Sequence, residues 1–480
     1  MACDEYPMWI GGREVRSAKP RTVRVPFDGA PVGIVFEAEP VHVEEAVAAA
    51  KSAAPLMRSL TRDERSAILR RAHAAVSARR EEFARAVSSE SGKPIREGRL
   101  EAERASQTLL FASEEAHRLT GEVVPMDASP AGKGRWGMTV REPLGVIAAI
   151  TPFNFPLNLS VHKIAPALAA GNAVVHKPAS ATPISGLLLA RVLSECGLPD
   201  GALNVITGAG GEIGAHLAGH PDIAMITFTG SDSVGARLRL LAAEGRKRIT
   251  LELGNNSALI VEPDGNLEEA VSRAVPGSYA HSGQVCISIQ RIYVHRNVSS
   301  RFTEAFATAA RALSIGHPFD ETTEVSSLIT EAEATRVAGW VEEAVRSGAR
   351  MVGPSIHRQR ATLGPVVLAD VPEHAQVWRQ EAFGPVAGIN TYQTLDEAIE
   401  RVNQSAYGLQ AGIFTSDIGK AFAAAERVHV GGFLINDVPQ FRVDQMPYGG
   451  VKLSGSGREG PKYAIEEMTE PKLITWRYPR

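Results

Sequence analysis

Cysteine is scarce in this chain: three among 480 residues, Cys3, Cys196 and Cys286, without the spacing of a metal site or a disulfide framework. So sparse a set predicts a reducing, cytoplasmic setting in which a reactive thiol stays free. An excess of one charge is also lacking. Lys and Arg number 51 against 54 Asp and Glu, a formal net charge of −3, which argues against the basic surface a nucleic-acid partner requires. No apolar run approaches the ~18 residues of a membrane span. The opening Met1-Ala2-Cys3-Asp4-Glu5 is acidic where a secretory leader is basic. Repeats and low-complexity linkers are missing too. What is present is an ordinary globular composition, 44% hydrophobic and 22% charged, in a chain too long for one core.

Residues 41–118 are rich in Ala, Glu and Arg and read as helices. Thr61-Arg62-Asp63-Glu64 has the form of a capping box and predicts a helix from there through Phe83. Glu101 to Glu115 gives a second helix. From residue 145 short apolar runs (Val146–Ile150, Ala173–His176, Asn204–Ile206, Met225–Phe228) alternate with helical segments near 160–170, 182–196 and 211–219. That alternation predicts βαβ units on a mostly parallel sheet. A second alternating region starts at Ser257-Ala258-Leu259-Ile260-Val261 and runs to about residue 435, with helices over 265–274, 299–313 and 331–347. The expected fold class is α/β, with two domains joined near residue 252. Residues 120–142 read as a β-hairpin turning at Gly132-Lys133-Gly134, and Lys472–Arg477 as one further strand. Neither has an evident partner, which predicts exchange of strands with another subunit.

Three residues have the character of covalent carbonyl chemistry. Cys286, in Gly283-Gln284-Val285-Cys286, sits in a small, polar turn, where a thiol is accessible and its ionisation favoured. Cys3 and Cys196 read instead as small buried residues. Glu252, in Leu251-Glu252-Leu253-Gly254, ends a β-compatible run, and partial shielding there raises a carboxyl pKa toward that of a general base. Asn154, in Thr151-Pro152-Phe153-Asn154-Phe155-Pro156, places an oriented amide in a loop. Each has a bland alternative: a buried thiol, an ion-pair partner, a turn residue. Together they supply nucleophile, base and oxyanion donor.

Phosphate-binding signals accompany them. The stretch Gly208-Ala209-Gly210-Gly211-Glu212-Ile213-Gly214 lacks the G-x-G-x-x-G spacing. Phe228-Thr229-Gly230-Ser231, with Gly235 beyond, is a better site, because a strand ends there in a glycine turn that opens a helix. Lys177-Pro178 adds a cation at the same sheet edge. Glu381-Ala382-Phe383-Gly384-Pro385 offers a carboxylate for ribose hydroxyls and an aromatic face.

With these positions assembled, the chain resembles the NAD(P)-dependent aldehyde dehydrogenase superfamily from about residue 20 onward. The segments above match its signatures in order, as does Asn436-Asp437-Val438-Pro439 through Met446-Pro447-Tyr448-Gly449-Gly450-Val451-Lys452-Leu453-Ser454-Gly455. The resemblance implies a Rossmann-like cofactor domain (1–119 and 143–252) and a catalytic domain (253–435), both doubly wound. It also implies a bridging oligomerisation element (120–142 and 436–480) and a homodimer or homotetramer. Cys286 is then the nucleophile, Glu252 the activator of hydrolytic water, and Asn154 with the Cys286 N–H the oxyanion site. Lys177 binds the adenosine ribose, Ser231 the pyrophosphate and Glu381 the nicotinamide ribose, with Phe383 near the ring; Thr151, Phe228, Gly230 and Leu253 line the same cleft. Relatives that pass the acyl group to coenzyme A lack the glutamate, so Glu252 favours hydrolysis to a carboxylate.

Three departures refine the expectation. Ser180 stands where NAD-preferring members carry a glutamate, which predicts that NADP is accepted alongside NAD and can be the preferred cofactor. Asn255 replaces a second glycine after Glu252-Leu253-Gly254, at a turn where asparagine tolerates a positive φ. The stretch Asp437 to Gly450 resembles a branch including lactaldehyde, non-phosphorylating glyceraldehyde-3-phosphate and phosphonoacetaldehyde dehydrogenases. Its phosphate-handling members place arginines at Arg104, Val285 and Arg442 and a polar ring at Phe155. Here Arg104 and Arg442 remain, predicting a short polar or anionic aldehyde gripped by two guanidinium groups. The alternative for Arg104 is a pairing with Glu101 or a helical neighbour. Two other readings compete: a cysteine hydrolase using His281 or His162 as base, and a non-catalytic nucleotide-binding protein like some lens proteins.

Overall fold

The computed structural model describes residues 4–478; Cys3 lies outside them. Five parallel strands form the middle of an eight-stranded sheet, in the order Arg248–Glu252, Met225–Thr229, Val146–Ile150, Ala173–Lys177 and Leu203–Val205. Gly455–Ser456 closes one edge and the hairpin Met8–Ile10 with Arg13–Val15 the other, all antiparallel. Strands 146–150 and 173–177 are buried throughout, as strands covered on both faces must be. Ile147, Ala149 and Val174 face helices Asn158–Ala170 and Ile184–Glu195, while Val146, Ala148, Ala173 and Val175 face helices Pro40–Ser59 and Ile213–Gly219. This period of two divides one sheet between two cores. Each fully buried Val, Leu or Ile contributes about 1.5–3 kcal/mol.

A second sheet of seven strands runs Arg350–Met351, Val366–Ala369, Val386–Tyr392, Ile289–His295, Ser257–Val261, Gln410–Phe414 and Gly432–Ile435, parallel except for the first. The α/β class is therefore as the sequence predicts. A small separate sheet, Glu5–Tyr6, Pro31–Phe36 and Pro20–Arg24, precedes the first helix.

Two local expectations change. Thr61 and Glu64 do form a reciprocal capping box, but the helix they open is Arg62–Ala78 and stops before Phe83. Arg79 leaves the helical region (φ −100°, ψ 23°), and a new helix, Arg80–Ser91, turns Phe83 and Val87 into the core. The C-terminal strand is Thr469–Arg477, and it is not left unpaired by its own chain. It lies antiparallel to Arg135–Pro143 along its length, with Val123–Val124 on the far side. The preceding helix Pro461–Glu467 buries Ala464 and Ile465 in the first core, which delivers the tail to the root of that strand. Of residues 436–478, Gly455–Ser456 joins the large sheet, Val451–Lys452 pairs with Tyr407–Gly408, and Thr469–Arg477 alone enters the small sheet. Among the described residues no helix is long and apolar enough to cross a membrane.

Candidate active site

Cys286 follows three left-handed residues, His281 (φ 48°), Ser282 (φ 56°) and Gly283 (φ 73°). A side chain at position 283 would meet the Gly384 carbonyl oxygen at 2.1 Å, so glycine is required there. The His281 N–H donates to Glu97 Oε1 (3.0 Å) and the Ser282 hydroxyl to the Ser326 carbonyl (3.1 Å), fixing the loop from outside. It presents the half-buried Cys286 Sγ 2.9 Å from the Tyr448 hydroxyl, in a small cluster with Val285, Ile287, Leu409, Phe155 and Met446. Desolvation pushes the thiol up to about 12, outweighing the Tyr448 hydrogen bond and the Arg442 charge that lower it. The expectation of an ionised thiol is thus corrected. Gly283 and Gln284 make the turn polar, but the sulfur itself faces apolar side chains.

Glu252 ends its strand fully buried, and neither carboxyl oxygen has a hydrogen-bond partner. Desolvation and then the nearby Glu459 carboxylate hold it well above the usual range. Space beside it is kept by Gly449, where a Cβ would approach Oε1 to 2.8 Å. Asn154 Nδ2 donates to the Gln284 carbonyl at 2.9 Å. This bond brings the amide to the cysteine loop across 130 residues of sequence and leaves the second amide hydrogen available.

At the other end of the site Lys177 is buried at the C-terminus of its strand, with Nζ donating to the Pro178 carbonyl (3.0 Å). Burial, then the nearby Arg21, lowers it to about 8. Ser180 Oγ donates to the Gly208 carbonyl (2.7 Å), and the Ser180 carbonyl accepts from Arg21 Nη2. Arg21 also lies against Glu37 (2.8 Å). Ser231 is the N-cap of helix Asp232–Glu244, and no side chain caps the helix, so its first N–H groups suit an anion. The Ser231 hydroxyl meets Ser233 Oγ at 3.3 Å. Gly230 packs under the Phe228 ring, where a Cβ would come within 2.4 Å, and Leu253 fills the space left at Gly235.

Glu381 Oε1 accepts the Asn255 N–H (3.0 Å), and desolvation pushes its carboxyl up to about 8. Gly254 permits that approach, since a Cβ there would lie 2.6 Å from Glu381 Oε2. Asn255 is not among the residues with positive φ, contrary to the turn expected for it. Its side chain instead bonds Ser257 Oγ (2.6 Å). Phe383, at φ 47°, sets its ring edge-on to Phe153 (5.7 Å, 82°). Thr151 turns its hydroxyl inward to His176 (3.1 Å) and Ser160 (3.5 Å). A buried ammonium without a carboxylate, an uncapped helix start and a partly satisfied carboxylate fit the ribose and pyrophosphate groups of a dinucleotide.

The two arginines read as substrate ligands are neutralised within the chain. Arg104 makes a two-point contact with Asp444 (3.2 and 2.8 Å), rather than with Glu101 or a helical neighbour. Arg442 donates to Glu459 Oε2 (3.2 Å) and lies 3.6 Å from the centroid of the Tyr448 ring. Glu101 pairs with Lys93, both fully buried, and accepts the N–H groups of Leu157 (2.9 Å) and Asn158 (3.1 Å). Lys93 Nζ sits 3.6 Å from the centroid of Phe155. Val285 is buried against Tyr448. Sequence reasoning missed Arg21, Lys93, Asp444, Tyr448 and Glu459 as site residues; Asp444 and Tyr448 lay within the stretch Asp437 to Gly450 already singled out. His162 is taken up by Asp444 (2.8 Å), and neither ring nitrogen of His281 has a partner. Neither histidine bonds Cys286, so the hydrolase arrangement is not assembled.

Comparison with known proteins gives the family. The profile of the aldehyde dehydrogenase family matches residues 14–474. The chain is 46% identical over 471 residues to the 3-sulfolactaldehyde dehydrogenase of Priestia megaterium, covering 98% of each. Aldehyde dehydrogenase 21 from Physcomitrella patens, solved with the reaction product succinate, superposes with a TM-score of 0.96 at 37% identity, covering 99% of each chain. Glyceraldehyde-3-phosphate dehydrogenase from Methanocaldococcus jannaschii, complexed with NADP, gives a TM-score of 0.91 at 37% identity, covering 97% of this chain and 100% of that one. The chain belongs to the aldehyde dehydrogenase family and is an NAD(P)-dependent aldehyde dehydrogenase.

Proposed function

We propose that the chain oxidises a short polar or anionic aldehyde to its carboxylate through a thiohemiacetal and then a thioester on Cys286. The observation that carries this reading is the bond joining Asn154 to the cysteine loop at 2.9 Å, beside a Glu252 carboxyl with no partner of its own. Sulfur adds to the carbonyl carbon, and the oxyanion is received by the Asn154 amide and the Cys286 N–H. A bound nicotinamide supplies the hydride acceptor. Glu252, once deprotonated, takes a proton from water, whose oxygen displaces sulfur from the acyl carbon.

Arg442 keeps an Nε–H buried without a partner, which an anionic group on the substrate would satisfy. The related enzyme of Priestia megaterium is named for 3-sulfolactaldehyde, a short anionic aldehyde. Ser180 carries no charge to repel a 2′-phosphate, and Arg21 beside it attracts one, so NADP is accepted with NAD. The two large sheets serve as cofactor and catalytic domains. The small sheet of 123–143 and 469–477 bridges subunits in a homodimer or homotetramer, in a cytoplasmic setting that keeps Cys286 reduced.

Nicotinamide reduction with 3-sulfolactaldehyde, lactaldehyde, succinate semialdehyde and hexanal, each with both cofactors, tests the reading. The anionic aldehydes are expected to give the highest kcat/KM, and Cys286→Ala to abolish turnover. Turnover surviving that substitution, or preference for hexanal, overturns it.

A further inference from the structure

We infer that Tyr448 is a catalytic residue whose phenolic O–H donates to the Cys286 sulfur when it carries negative charge, first during addition and again when the thioester is hydrolysed. The inference rests on the proposed role of Cys286. The hydroxyl lies 2.9 Å from Sγ and makes the one hydrogen bond to that sulfur among the described residues. Tyr448 is 2% exposed, and its position is set by paired backbone bonds with Glu459 (3.1 and 2.7 Å). Arg442 covers the ring face at 3.6 Å, and a cation there draws electron density from the phenol and strengthens its O–H as a donor. Behind Arg442 stand Glu459, at 3.2 Å, and Lys163, which reaches Glu459 at 2.5 Å. The chain thus builds a charged support around a residue that touches the sulfur.

Desolvation holds the phenol well above its usual range, so it donates a hydrogen bond without ionising. The other charged groups that act on the sulfur are Arg442, which favours the thiolate, and Glu381 and Glu252, which oppose it. In the addition step the thiol proton passes to water, the S–C bond forms as the carbonyl π pair moves to oxygen, and Tyr448 keeps its own proton. In hydrolysis the water oxygen bonds to the acyl carbon and the C–S bond breaks, with both electrons going to sulfur. The thiolate then takes up the Tyr448 hydrogen bond again. The phenol acts twice and is unchanged at the end.

Tyr448→Phe removes one oxygen and retains the ring under Arg442. Alkylation of Cys286 by iodoacetamide, followed by peptide mass so that Cys3 and Cys196 do not contribute, is measured against pH in wild type and variant. Loss of a hydrogen bond to a charged group is expected to move the profile upward by about one pH unit and to slow alkylation at pH 8 about tenfold. The pH profile of kcat should move with it, while the KM for cofactor stays unchanged. An alkylation profile matching wild type overturns the inference about Tyr448 and leaves Cys286 untouched. Activity persisting in Cys286→Ala removes the underlying reading instead.

Discussion

Asp444→Asn removes one negative charge where three side chains converge. The Asp444 carboxylate is 5% exposed and is met by Arg104 (2.8 and 3.2 Å), Asn158 Nδ2 (3.1 Å) and His162 Nε2 (2.8 Å). Burial by itself would raise its pKa; the His162 hydrogen bond and Arg104 overcome that and hold it well below the usual carboxylate range. Asparagine preserves the volume but leaves Arg104 without a counter-ion. Removing one partner of a buried pair costs about 3–5 kcal/mol. Arg104 is 23% exposed and regains some water, which places the loss near the lower end, about 3 kcal/mol. With an unfolding entropy of about 2 cal/mol/K per residue, a chain of this length loses roughly 1 °C of Tm per kcal/mol. Scanning calorimetry at pH 7 should therefore show a Tm lower by roughly 3 °C. A depressed folded pKa gives stability that is complete above the unfolded value near ~4 and fades as pH falls through it. The gap between wild type and variant should narrow as pH drops from about 5 toward 3. No gap at pH 7, or one that widens on acidification, refutes the reasoning.

Ser180→Glu puts a carboxylate beside the Arg21 contact and should cut kcat/KM for NADP at least about tenfold while sparing NAD, read by steady-state kinetics with both cofactors. Gly254→Ala drives a methyl group toward the Glu381 carboxylate, a mobile side-chain end, so Tm should hold while the KM for cofactor rises several-fold. Because burial and the Glu459 carboxylate raise the Glu252 carboxyl well above its usual range, thioester hydrolysis should quicken as pH rises through that raised pKa. A stopped-flow burst of reduced nicotinamide that grows more prominent toward acid would show this, and a burst independent of pH would contradict it.

The parts of the fold that are local in sequence were legible. Thr61 and Glu64 stand three residues apart, and the apolar runs at 146–150 and 173–177 declare strands buried on both faces. The break at Arg79 was not visible, since the residues on either side are good helix formers and the redirection serves the burial of Phe83 and Val87. Candidate site residues were readable where they lie in short motifs, such as Cys286 and Glu252. Their electrostatic state was not. The thiol is held neutral by Val285, Phe155 and other apolar neighbours drawn from separate stretches of chain. Asp444 reaches Arg104 across 340 residues and Tyr448 reaches Cys286 across 162, separations at which spacing carries no information. Arg104 pairs with Asp444 and Arg442 with Glu459; the first pairing could not be read in advance, because its carboxylate is distant in sequence.

The acyl-enzyme itself gives the most direct test. Glu252→Gln is mixed with aldehyde and cofactor, quenched, and analysed by mass spectrometry of the peptide that contains Cys286. The account predicts one equivalent of reduced nicotinamide per subunit, followed by slow turnover, with the acyl group on that sulfur. Undiminished steady turnover with an unmodified Cys286 peptide would contradict it.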